Sequence, residues 1–171
     1  PGTTGTFIDD AHAAGIQVVA WYLPSLVHTG TDFRRALAAI RFRSSTGQTF
    51  DAFALDIEAS LVRDVSVRNA RLLALSRELR RSAPAGYPLG AIVPSPVGMR
   101  RHPRYWPRFP FAELATTFDT FLPMAYFSYY AKTPPAAYAY ARDVIDAIRA
   151  QSARPDVPIH LIGGLANAAS L

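Results

Sequence analysis

The stretch Asp51-Ala-Phe-Ala-Leu-Asp-Ile-Glu58 decides the fold of this chain of 171 residues. It is short, nearly continuous in apolar residues and acidic at its end, which is typical of a strand buried on both faces of a parallel sheet. Because side chains alternate along a strand, Asp56 and Glu58 are predicted to share one face. Both carboxylates then lie at the C-terminal end of the strand, where parallel α/β folds place their sites.

Runs of the same kind recur along the chain, and amphipathic segments with helical periodicity lie between most of them. The predicted strands are 16–23, 50–57, 89–93, 119–127 and 158–162. The predicted helices are 7–14, 32–43, 64–82, 111–117 and 135–151. Thr31 and Asp32 are expected to cap the helix that follows the first strand. Helix and strand in regular alternation predict parallel βα units.

Five such units are too few for a closed (β/α)₈ barrel, which needs eight strands and typically ~250 residues. The pattern fits either an open five-stranded α/β sheet or a TIM barrel present as about five βα units. We favour the partial barrel, because the sequence opens within a helix and ends just after a strand. Residues 1–171 then form a single, partial domain. Its exposed strand edges would need the rest of the polypeptide or a partner chain to cover them.

Composition excludes several classes of protein. Apolar residues make up 50% and charged residues 18% of the chain, as in a globular domain, and no apolar run reaches the ~18 residues that span a membrane. The absence of cysteine excludes disulfides, zinc–thiolate sites and thiol nucleophiles. The net charge of +5 comes from dispersed arginines, several of them on 64–82, which favours a solvated helix face over nucleic-acid binding. Attraction to an acidic polymer such as a cell-wall glycan is the remaining interpretation.

Two carboxylates two residues apart on a strand have Cα atoms roughly 6.5 Å apart. In a partly dry site they cannot both ionise at low cost, so one pKa is expected to rise, and a raised carboxyl can act as a general acid. The alternative is structural: Glu58 would pair with Arg63, and Asp56 would cap the following loop.

The same octet resembles the D-G-x-D-x-D-x-E signature of the chitinase-like glycoside hydrolases of family 18. Asp51, Asp56 and Glu58 match, whereas Ala52 replaces the glycine and Ala54 replaces an aspartate. A second segment, 119–127, resembles the sixth strand of that family, which ends in Met-x-Tyr-Asp. Here Met124 and Tyr126 match, and Phe127 stands in place of the aspartate. The shorter Leu-Asp-Ile-Glu is also similar to a strand of the family 25 lysozymes, and related glycoside hydrolase barrels of bacterial envelope proteins fit equally well.

The resemblance implies a role for each matching residue. Glu58 would protonate the leaving glycosidic oxygen, and Asp56 would orient the acetamido group of the substrate or stabilise the charge that develops on the sugar. Tyr126 would donate a hydrogen bond from the opposite side of the site. The resemblance thus implies hydrolysis of a bacterial or amino-sugar polysaccharide, outside the cell or in its envelope. Because Ala54 and Phe127 depart from the pattern, a non-catalytic carbohydrate-binding barrel is the main alternative.

Aromatic and amide side chains near the predicted strand ends are candidates for binding sugar. These substrate-binding candidates are Trp21, Tyr105, Trp106, Tyr129 and Asn167. Tyr105 and Trp106 belong to the proline-rich loop 94–110, which is predicted to lack regular structure. Core packing is the competing interpretation for Trp21, and a turn is the competing one for Asn167.

The sequence contains none of the motifs that are typical of metal hydrolases, esterases, kinases or dinucleotide-binding proteins. The four histidines show no H-x-H or H-x₃-H spacing, and no G-x-S-x-G, phosphate loop or G-x-G-x-x-G occurs. We therefore expect no metal, no organic cofactor and no nucleic acid, and a polysaccharide as the partner. A third possibility is an open α/β module whose basic helix binds a partner protein or an anionic surface.

Overall fold

The computed structural model describes residues 2–164 as a mixed α/β chain. It divides into two compact units, Pro1–Gly90 and Ala91–Leu171, with the boundary inside the third strand. Four strands, numbered β1 to β4, form a sheet in chain order. The fold class predicted from the sequence, alternating helices and parallel strands, is confirmed at this level.

The first unit contains two strands and three helices, and most of their boundaries lie close to the predicted ones. They are α1 (Thr3–Ala13), β1 (Val19–Tyr22), α2 (Thr29–Ile40), β2 (Ala52–Asp56) and α3 (Val65–Ser82). Gly15 follows α1 with φ +73°, a backbone conformation that glycine adopts without strain. Asp64 caps α3 by accepting from the backbone N–H groups of Ser66 and Val67.

Helix α2 corrects one prediction about its start. It begins at Thr29, and its N-cap is His28, so Asp32 lies in the first turn and does not cap the helix. The Asp32 carboxylate instead accepts hydrogen bonds from the preceding loop. The reason is that the loop after β1 folds back over the start of the helix and offers its own backbone N–H groups to this acid.

The second unit begins within β3 and includes a helix that the sequence did not predict. Its elements are β3 (Leu89–Pro94), α4 (Pro96–Arg101), α5 (Phe111–Leu114), β4 (Thr120–Met124), a 3₁₀ turn (Phe127–Tyr129) and α6 (Pro134–Ser152). The expectation of irregular structure throughout 94–110 is wrong for α4. Proline is tolerated at the first helical position, where Pro96 lies, and the Ser95 side chain accepts from the Gly98 N–H.

The fifth predicted strand, 158–162, is joined to β4 and to the residue after it by two parallel bridges and by four backbone hydrogen bonds. Ile159 and Ile162 form parallel bridges with Phe121 and Met124 of β4. The segment therefore runs alongside β4 in the predicted parallel direction.

The core of each unit is apolar, as the composition predicts. In the first unit Phe53, Leu55 and Ile57 are almost fully buried, and so are the α3 residues Leu72 and Leu79. Ala54 and Asp56, on the opposite face of β2, are buried as well, so the strand is covered on both faces.

Candidate active site

Asp56 is the last residue of β2, and it is buried. Its side chain is 8% exposed, and its Oδ1 atom has no hydrogen-bond partner among the described residues. Burial, assisted by the charge of Glu58, raises the pKa of Asp56 to about 6. A carboxyl of this kind retains a proton in mildly acidic solution and can give or receive it near neutral pH.

Glu58 follows two residues later and is half-buried. Strand β2 ends at Asp56, so strand alternation does not fix the direction of the Glu58 side chain. The two carboxylates nevertheless interact, because the charge of Glu58 contributes to the raised pKa of Asp56. The pKa of Asp56 is the one that is raised by burial, and the family resemblance assigns the acid role to its neighbour Glu58.

Trp21 is placed on the face of Asp56 by the strand register. β1 and β2 are parallel, and Trp21 lies opposite Ala54. Paired residues of parallel strands point to the same side, and Ala54 shares its side with Asp56. The indole is 64% exposed. An open aromatic face of this kind is suited to stacking on a sugar ring.

A buried carboxylate that the sequence predicted only as a helix cap organises the loop after β1. Asp32 is 2% exposed and accepts from the Tyr22 hydroxyl at 2.8 Å and from the backbone N–H groups of Ser25 and Leu26 at 3.1 and 2.9 Å. Leu26 has φ +58°, which a non-glycine residue adopts only when its surroundings hold it there. Arg71 of α3 fixes the same turn by donating to the Leu26 carbonyl at 2.9 Å.

This loop forms one wall of a pocket of about 340 Å³. The opposite wall comes from Ala59 and Leu61, and Ala59 is the residue after Glu58. The lining is mixed, with apolar Leu23 and Leu61 beside polar His28 and Arg35. A pocket with apolar walls and a few polar groups is the usual form of a small-ligand site.

Asp51, which opens the motif, has a structural role. It accepts from the Val18 N–H at 2.6 Å and is paired with Nε2 of His12 at 2.9 Å. The Val18 bond is the largest cause of the lowered pKa of Asp51, and the Asp51 bond is the largest cause of the raised pKa of His12. The pair joins α1 to the segment that leads into β2.

Tyr126 and Tyr129 belong to the second unit. Tyr126 follows β4, is half-buried and precedes the 3₁₀ turn that Phe127 begins. Tyr129 is 58% exposed, and its ring meets that of Tyr130 at 6.1 Å between centroids. An exposed tyrosine of this kind can contact a ligand.

The remaining predicted binding residues differ in accessibility. Trp106 is only 2% exposed, and its ring packs edge-on against Phe109 at 5.1 Å and Tyr105 at 6.3 Å. A ring buried in this way has no open face for a sugar, so Trp106 is removed from the candidate site, and Tyr105 lies half-buried beside it. Asn167 lies outside the described residues.

Residues 2–164 contain neither a metal-binding cluster nor a membrane-spanning helix. No group of three or more histidine, aspartate or glutamate side chains is arranged there to hold a metal ion. No helix in the same range is long and apolar enough to cross a membrane.

Comparison with known proteins gives one informative likeness. No family model and no curated protein matches the sequence. A crystal structure of a chitinase from Chromobacterium violaceum is similar to the chain with a TM-score of 0.62 and 16% sequence identity. The alignment covers 94% of this chain and 53% of the chitinase, so the chain spans about half the length of that protein. At this identity the likeness shows the fold alone: the chain shares its α/β architecture with a glycoside hydrolase.

Proposed function

We propose that the chain is a partial (β/α) barrel of the glycoside-hydrolase type that hydrolyses glycosidic bonds in a bacterial or amino-sugar polysaccharide. The observation that carries the proposal is the buried Asp56 with its raised pKa, influenced by Glu58, at the end of a parallel strand. The similarity of the fold to that of a chitinase supports the assignment of a barrel. The name of that protein indicates that it acts on chitin.

Each residue has a defined part in the proposed reaction. Asp56 retains a proton in mildly acidic solution, and Glu58, the less buried acid, is assigned by the family resemblance to protonate the glycosidic oxygen. Asp56, once ionised, stabilises the positive charge that forms on the sugar; a water molecule then attacks the anomeric carbon and returns its proton to the ionised Glu58. Tyr126 is assigned a hydrogen bond to the substrate by the family resemblance, and the exposed Trp21 supplies a stacking surface.

The test is turnover of chitin, peptidoglycan and other amino-sugar polymers, measured as the release of reducing ends. Glu58→Gln and Asp56→Asn are expected to lower kcat by about 10²-fold or more, the usual contribution of an acid–base group. Glu113→Gln is the matched control, because Glu113 is an exposed acid on α5, and it should leave kcat unchanged. Equal activity of Glu58→Gln and the wild-type protein would remove the hydrolase proposal.

Binding without hydrolysis is a second candidate function, favoured by one observation. Ala54 is 2% exposed and stands where the resembling family has a buried carboxylate, so Asp56 has an apolar neighbour on its strand. In that case the wild-type protein would bind the polysaccharide without releasing reducing ends. Glu58→Gln would bind as well as the wild type, whereas Trp21→Ala would bind more weakly.

A further inference from the structure

The second unit carries a concentrated positive charge that the proposed hydrolysis does not use. We call residues 100–108 the basic segment; it contains Arg100, Arg101, Arg104 and Arg108, all of them exposed. The sequence has no aspartate or glutamate in 79–112 or in 120–142. Within residues 2–164, Arg100, Arg101 and Arg104 form no ion pair. No acid of the described residues therefore neutralises the charge of these three guanidinium groups.

One of these cations is positioned by aromatic rings. The Arg101 guanidinium lies 4.4 Å from the centroid of the Tyr130 ring, and Tyr130 stacks on Tyr140 at 5.2 Å. The Tyr140 hydroxyl donates to Oγ of Ser95 at 2.9 Å, and Ser95 in turn caps α4. A cation–π contact holds an arginine in place while leaving N–H donors at its edge for an anion.

In contrast to the exposed arginines of the basic segment, several arginines of α3 are buried or bonded to backbone carbonyls. Arg71 donates to the Leu26 carbonyl at 2.9 Å, and Arg80 donates to the Tyr87 carbonyl at 3.1 Å. Arg68 is 2% exposed. These side chains hold the first unit together, so the basic face predicted on this helix is smaller than its sequence indicates. The basic segment is the better candidate for an anionic partner.

We propose that the basic segment binds a polysaccharide that carries carboxylate or phosphate groups. Both anions can accept two parallel hydrogen bonds from the N–H groups of one arginine. The exposed ring of Tyr129, in contact with Tyr130, adds a surface on which a sugar ring can stack. A nucleic acid held through its backbone is the alternative, but four arginines could neutralise only about four of its phosphates, a small part of the electrostatic attraction on which such binding depends. The proposal is independent of Asp56 and Glu58.

The test compares two triple variants of the full chain that lose the same charge. Arg100→Gln/Arg101→Gln/Arg104→Gln removes the basic segment, and Arg41→Gln/Arg77→Gln/Arg81→Gln removes three exposed arginines of the first unit. The probes are polygalacturonate for carboxylates, poly(glycerol phosphate) for phosphates, neutral dextran and a single-stranded oligodeoxynucleotide. Affinity is measured by calorimetry at about 50 mM salt, where screening is modest, and circular dichroism checks that both variants are folded.

We expect the wild-type protein to bind at least one acidic polymer and not dextran. The first triple variant should lose about tenfold in affinity, from three exposed ion contacts of ordinary strength, and the second should lose less than about twofold. Equal losses in the two variants would show a general charge effect and overturn the proposal. It is overturned as well by absence of binding to both acidic polymers, or by tighter binding of the oligodeoxynucleotide. Because these readouts are affinities, the hydrolase proposal can fail without affecting them.

Discussion

Trp21 and Asp56 point to the same face of the β1–β2 pair, since Trp21 lies opposite Ala54 in the parallel register. The exposed indole and the buried acid therefore line the same side of the first unit. Glycoside hydrolysis needs this combination of a surface that holds a sugar ring and a carboxyl that transfers a proton.

The two tryptophans are expected to behave in opposite ways. Trp21→Ala should change the free energy of unfolding by less than about 1 kcal/mol, because an exposed side chain makes few packing contacts. Trp106→Ala should cost about 3–5 kcal/mol, because it leaves a cavity among aromatic rings. Urea unfolding gives both values. The bound sugar should quench or shift fluorescence in Trp106→Phe and not in Trp21→Phe, and the reverse result would exclude Trp21 from the site.

The raised pKa of Asp56 predicts how stability changes with pH. The carboxyl titrates at about 3.8 in the unfolded chain and at about 6 in the folded one, so between these values the folded state holds more protons. Stability therefore falls as the pH rises through this interval and is level above it. Asp56→Asn removes the cost of the buried charge, and at pH ~7.5 it should be more stable than the wild type by roughly 3 kcal/mol at most.

The measurement is urea unfolding of the wild type and Asp56→Asn at about pH 4 and about pH 7.5. The difference in free energy of unfolding between the wild type and Asp56→Asn should be small at about pH 4 and largest at about pH 7.5. A variant that is less stable than the wild type at both values would show that Asp56 has a structural partner, which the active-site assignment does not allow.

The sequence predicted those parts of the molecule that local patterns determine. The apolar runs located all four strands, and the nearly continuous apolar run of β2 correctly predicted a strand that is buried on both faces. The pairing of acids also predicted that one pKa would rise. These features depend on residues close together in the chain.

Features that depend on the path of a loop were not predictable in the same way. Asp32 resembled a helix cap, because nothing in its neighbours shows that the loop after β1 returns to it. Trp106 resembled a surface residue because of the arginines and prolines around it, yet its ring packs on Phe109. In both residues a contact made in three dimensions overrides the local composition.

Asp32 is expected to be essential for the shape of the loop that forms the pocket wall. Asp32→Ala leaves the N–H groups of Ser25 and Leu26 without their acceptor and should destabilise the protein by about 2–4 kcal/mol. Asp10→Ala is the control, since Asp10 is exposed on α1 and should change stability by less than about 0.5 kcal/mol. Amide exchange at Leu26 provides a second readout, and unchanged protection in Asp32→Ala would contradict the assigned role.

We expect the ionised His12–Asp51 pair to stabilise the packing of α1 only within a limited pH range. The pKa of His12 is raised above 6.5 in the folded protein. Its contribution to the free energy of unfolding is therefore complete below pH 6.5 and is lost as the pH rises through the folded pKa. The pKa of Asp51 is lowered below 3.8 in the folded protein. Its contribution to the free energy of unfolding is therefore present above pH 3.8 and is lost as the pH falls through the folded pKa. A double-mutant cycle of His12→Gln and Asp51→Asn should therefore show favourable coupling at about pH 5.5 and little at about pH 9. Coupling of the same size at both values would mean that the neutral hydrogen bond, and not the ion pair, joins α1 to the segment before β2.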